Sequence, residues 1–123
     1  MATRITKKAY GGWPNCISLD NGLVEVILST DVGPRILFYG FRNGANHMHL
    51  VPEHAGRTGD EDWVMYGGHR LWHSPEERPR TYDEDNFPVA WQKIPNGVTL
   101  VSRLDEWVQV EKELEVTLDP DSS

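Results

Sequence analysis

With 123 residues, 38% of them apolar and 25% charged, the chain has the make-up of one globular domain, too short for two and too apolar for a disordered segment. Twelve Lys and Arg against nineteen Asp and Glu give a net charge of −7, which excludes a broad nucleic-acid surface, since phosphate binding rests on clustered cations. No window approaches the roughly 20 apolar residues of a membrane span, and the single cysteine, Cys16, allows no intrachain disulfide, so a cytoplasmic setting is expected.

The opening residues, MATRITKKAY, lack the apolar run of a signal peptide. Cys16-Ile17-Ser18-Leu19 and Leu23-Val24-Glu25-Val26-Ile27-Leu28 flank the turn signal Asp20-Asn21-Gly22, which predicts a β-hairpin with Gly at the positive φ. Cys16 lies within an apolar alternating run and reads as a buried structural thiol. Arg35 to Phe41 predicts another strand, closed by Asn43-Gly44. Arg35, at its start, either points into a cleft or pairs with a surface carboxylate. Trp13, beside Pro14, reads as closing one end of a sandwich.

His47-Met48-His49 would set two imidazoles on one strand face, with Glu53 following, which resembles the first metal motif of the cupins. The surrounding glycines are wrongly spaced and no second motif supplies a further histidine, so no metal and no cofactor are expected. From about Pro52 to Phe87 alternation fades, and Gly, Pro and charged residues dominate around Trp63, Trp72 and Tyr82. A long aromatic-bearing irregular stretch in a β domain reads as a binding loop. Asp83-Glu84-Asp85-Asn86 lacks EF-hand spacing and reads as a solvated acidic turn.

Val89 to Ile94 and Val98 to Ser102 predict a second hairpin across Pro95-Asn96-Gly97. From Trp107 to Leu118, apolar Val108, Val110, Leu114, Val116 and Leu118 alternate with polar residues, Lys112 being the interruption. This predicts a strand of a half-solvated antiparallel sheet. The expected fold is all-β, an antiparallel β-sandwich, as a single domain over 1–123. The last strand has no obvious following partner, so another strand of the chain or a second subunit is expected to cover it, or else the sequence is the front part of a longer protein.

Four stretches carry a family resemblance: GWPNCISL (Gly12 to Leu19), TDVGPRI (Thr30 to Ile36), GGHRLWHSPE (Gly67 to Glu76) and KELEVTLDPD (Lys112 to Asp121). In this order they resemble the amino-terminal part of members of the galactose mutarotase-like superfamily, related to aldose 1-epimerases. The GGHRLWHSPE block is the most specific. The resemblance implies half of a β-supersandwich and a carbohydrate-related role. In the family a histidine is the general acid on the ring oxygen, and a glutamate from the carboxy-terminal half is the base; this chain has no counterpart of that glutamate.

On this footing His69 and His73 are the candidate acids, with an unperturbed imidazole pKa of about 6.5 suited to the task. Arg70 would hold hydroxyls and Trp72 would stack on a sugar face. Arg35 and Glu76 are further candidate ligand contacts, and Glu76 and Glu77 are the nearest carboxylates. Alternatively His69 and Arg70 tie down loops and Trp72 fills the core. The expected function is a carbohydrate-related binding domain, with no catalysis expected of this chain alone. Alternatives are a sugar epimerase completed by oligomerisation, a cupin-like metal protein, and a structural or interaction protein. The expected partners are a small carbohydrate and a second copy of the chain, as a homodimer.

Overall fold

The computed structural model describes residues 2–59, 64–71, 86–104 and 109–122. The fold is all-β, with two antiparallel sheets. One contains β1 (Arg4–Tyr10), β2 (Trp13–Asp20), β3 (Val24–Ser29), β4 (Arg35–Phe41) and the two-residue β5 (His69–Arg70), hydrogen-bonded in that order. The other contains β6 (Ala90–Ile94), β7 (Gly97–Val101) and β8 (Glu113–Thr117), again in chain order. Every neighbouring pair is antiparallel.

The apolar periodicity explains the layering. Ile17, Leu19, Val24, Val26 and Leu28 of the larger sheet pack with Val98 and Leu100 of the smaller and with Val89 and Leu118 that flank its strands, and Ile5, Ile36, Trp91, Leu114 and Val116 border them. Burying each such aliphatic side chain contributes about 1.5–3 kcal/mol. The larger sheet also buries its opposite face. Trp13, Cys16, Ile27, Leu37 and Phe38 form a second core there, covered by Val64, Tyr66 and the half-buried Leu50. A bulge makes this work. Ile27 opposes Phe38 while Leu28 opposes Ile36, so Leu37 is inserted without a partner and joins Phe38 in the second core.

Hydrogen bonds tie the sheets together. Thr3 Oγ1 donates to the Leu118 carbonyl at 2.7 Å, and the Val89 N–H donates to the Thr30 carbonyl at 2.9 Å. Asn21, 3% exposed, uses both ends of its amide. Its Oδ1 accepts from the N–H groups of Leu23 and Val24, each at 2.9 Å. Its Nδ2 donates to the carbonyls of Asp119 at 2.7 Å and Ser122 at 2.6 Å. One side chain therefore closes the β2–β3 turn and docks the segment after β8.

Several expectations change. The residues MATRITKKAY contain β1, an edge strand that the sequence reading passed over because its polar residues show little alternation. The last strand is shorter than 107–118: β8 begins at Glu113, Gln109 has φ +59°, and 105–108 lie outside the described residues. Lys112 does not interrupt a strand. It is 6% exposed, and its Nζ donates to the Leu71 carbonyl at 3.0 Å. His47–His49 form a bend after β4 instead of a strand, so the two imidazoles share no strand face. In the second hairpin Asn96, with φ +59°, takes the left-handed position. Gly97 serves closeness instead, because a Cβ there would overlap the Val116 carbonyl oxygen.

Cys16 is fully buried. Desolvation, and then the negative charge of Asp31, push its thiol up to about 11. A thiol that holds its proton at neutral pH is a poor nucleophile, so Cys16 is a packing residue.

Candidate functional site

The Gly-Gly of the YGGHR motif has a mechanical reason. Residues 66–70 thread between two stretches of backbone. On one side the Val51 N–H donates to the Tyr66 carbonyl at 2.9 Å and the Gly68 N–H to the His49 carbonyl at 2.7 Å. On the other side His69 and Arg70 pair with Ile36 and Arg35 of β4. Gly67 and Gly68 have φ +110° and +72°, and a Cβ on them would overlap the carbonyl oxygens of His49 and Ile36 respectively. Only glycine satisfies both the dihedral and the space.

This threading organises a buried polar and aromatic cluster. Arg35 is 2% exposed; its Nη1 donates to the Gly67 carbonyl at 3.0 Å, and its guanidinium carbon lies 4.9 Å from the Tyr66 ring centre. Tyr66, fully buried at φ +54°, donates its hydroxyl to Asn86 Oδ1 at 2.6 Å and its N–H to His54 Nδ1 at 3.3 Å. Trp13 meets the Tyr66 ring edge-on at 5.9 Å, and its Nε1 donates to the Arg57 carbonyl at 2.9 Å. Trp13 thus belongs to the second core, on the outer face of the larger sheet, and not to the end of the sandwich where it was expected.

Register decides which candidates converge. Arg35 and Arg70 are direct cross-strand partners, and so are Ile36 and His69. Cross-strand partners share a face and successive residues alternate. Arg35 and Arg70 therefore lie on the face that carries Tyr66, with Arg35 buried and Arg70 half-buried. His69 is exposed on the other face, beside Ile36. Of the two readings of Arg35, burial excludes the one that puts it at the surface. His73, Trp72, Glu76, Glu77 and Asp83 to Asp85 lie outside the described residues. Asn86, read as part of a solvated turn, is 1% exposed and accepts from Tyr66.

Sequence reasoning missed Tyr66, His54 and Asn86. Tyr66 carried one usable signal: a large aromatic directly before Gly-Gly marks backbone held tightly against something bulky. Among the described residues no group of three or more His, Cys, Asp or Glu side chains converges as a metal site, and no helix is long and apolar enough to cross a membrane.

The hydroxyl of Tyr66 is a discrete test of this cluster. Tyr66→Phe removes the bond to Asn86 and strips a buried amide of that donor. The expected cost is about 1–3 kcal/mol, read as a lower urea midpoint at unchanged slope. Stability equal to the parent would show that the 2.6 Å contact contributes nothing.

Comparison with protein-family models, with curated proteins and with solved structures gives no match.

Proposed function

We propose that the chain is a carbohydrate-binding domain whose ligand sits at the β4–β5 edge on the arginine face. The observation that supports this reading is the pairing of Arg35 with Arg70. Arg35 is fixed between the Gly67 carbonyl and the Tyr66 ring, while Arg70 stands half-buried at the sheet margin. Guanidinium groups present several N–H donors in a planar fork, suited to vicinal hydroxyls and to carboxylates. The resemblance of GGHRLWHSPE to the mutarotase-like superfamily points the same way, and adds Trp72, two positions after Arg70, as the stacking residue. His69 and Arg70 project from opposite faces of one strand, which favours binding over turnover within this chain. A cytoplasmic setting suits the lone, buried Cys16. The domain acts as a homodimer, a reading supported by the edge strands β1 and β8, which have no strand beyond them among the described residues.

The test is titration of glucose, galactose and glucuronate, followed by tryptophan fluorescence and by calorimetry. Millimolar or tighter binding of at least one is expected. Arg70→Ala should weaken it about tenfold or more, as loss of a charge-assisted hydrogen bond does. If none of the three binds at tens of millimolar, or if Arg70→Ala binds like the parent, the reading fails.

A further inference from the structure

The two sheets end, on one side of the sandwich, in strands of opposite charge. β1 closes the larger sheet and β8 closes the smaller. They flank the same opening: Thr3, just before β1, bonds to Leu118, just after β8, and Ile5 borders the core beside Leu114 and Val116. β1 exposes Arg4, Lys7 and Lys8, and β8 exposes Glu113 and Glu115, with Glu111 exposed just before it. Among the described residues β1 pairs only with β2, and β8 only with β7. An open edge with free backbone donors and acceptors is a template for another strand.

We infer that a second copy of the chain fills this edge, β1 of each protomer pairing with β8 of the other. This rests on the homodimer proposed above and names its interface. The geometry closes. A two-fold axis along the strands and between the sheets carries the smaller sheet of one copy into line with the larger sheet of the other. Each β1 then meets a partner β8, and both contacts form at once. Strand direction agrees as well. β1 leaves the Thr3–Leu118 contact while β8 runs towards it, so the new pair is antiparallel.

The side chains agree in turn. Arg4, Thr6 and Lys8 oppose Asp20, Ser18 and Cys16, which puts them on the face away from the shared core. Glu113 and Glu115 oppose Val101 and Thr99, on the outer face of the smaller sheet. The rotation keeps both outer faces outward, so Lys8 comes opposite the partner's Glu113. Ile5 comes opposite the partner's Val116 on the inner face. Lysines on an edge strand ordinarily repel stray strands. Here they repel a second β1, as the glutamates repel a second β8, and only the mixed pairing is attractive.

The experiment uses the full chain. Sedimentation should give a dimer for the parent, while Lys8→Glu and Glu113→Lys, each alone, place like charges opposite one another at both contacts. Roughly tenfold or greater weakening of self-association is expected for each variant. Mixed in equal amounts, the two variants should restore the dimer. One contact then pairs Glu at 8 with Lys at 113 and the other is the parental pair. Circular dichroism of each variant separates lost association from lost folding, and Arg4→Glu with Glu115→Lys, diagonal neighbours in this register, gives a second set with a smaller expected effect. A monomeric parent overturns both the dimer and its interface. A parent dimer unchanged by either variant, or variants that weaken but do not recombine, overturns this interface and leaves the dimer standing.

Discussion

Gly68→Ala should leave the protein at the edge of folding. At φ +72° an L-residue is strained by about 1–2 kcal/mol, and a Cβ would overlap the Ile36 carbonyl oxygen, a backbone atom fixed within β4. Overpacking of a rigid site adds about 1–3 kcal/mol, against which the lower entropy of an unfolded alanine chain returns less than 1 kcal/mol. The net loss, about 3 kcal/mol, is a large share of the 5–15 kcal/mol that holds a domain of this kind. Gly59 is the control. Its φ is +67°, but among the described residues nothing lies within 4 Å of a Cβ there. Gly59→Ala should therefore lose only about 1 kcal/mol, the dihedral part alone. Urea midpoints compare the two, and equal midpoints would show that the close passage of residues 66–70 against β4 is unimportant.

Asn21→Ala should be nearly as damaging, by about 2–4 kcal/mol. Four hydrogen bonds converge on this one buried amide, and each is worth about 1 kcal/mol net. Asn21→Asp divides the contribution. Aspartate keeps an acceptor for the N–H groups of Leu23 and Val24, but turns its other oxygen onto the carbonyls of Asp119 and Ser122. If only the β2–β3 turn matters, aspartate should match the parent in denaturant. If the docking of residues 119–122 matters too, aspartate should be destabilised. The second outcome is expected, since acceptors facing acceptors repel. A parent-like Asn21→Ala would sink both readings.

How far the sequence revealed this molecule depends on whether a residue's partner is near it in the chain. The Asp20-Asn21-Gly22 turn and the alternation of Leu23 to Leu28 are local, and both appear where expected, with Gly22 at φ +91°. Arg35 to Phe41 was legible for the same reason. The edge strand β1 was not, because an edge strand of lysines and threonines owes its shape to β2, not to a pattern of its own. Lys112 broke an apolar alternation on paper, yet it is buried and bonded to Leu71, 41 residues away in the chain. The site followed the same rule. Arg35 and Arg70 were visible as candidates, but their pairing depends on a strand register across the intervening loop. Tyr66 showed only in its place before Gly-Gly and Asn86 not at all, since their meaning lies in a single bond spanning 20 residues.

The double burial of the larger sheet has a consequence for how its strands tolerate change. β8 keeps one wet side, with Glu113, Glu115 and Thr117 exposed and Leu114 and Val116 turned inward. The fold of the single chain should forgive substitution there at every second position. β3 has no such respite: Val24, Val26 and Leu28 belong to one core, Ile27 to the other, and Glu25 is engaged by Ser18 and Lys8. A strand pinned from above and below has no neutral register in which to drift. Over generations β8 would therefore keep only its two-residue rhythm while β3 held nearly every one of its residues.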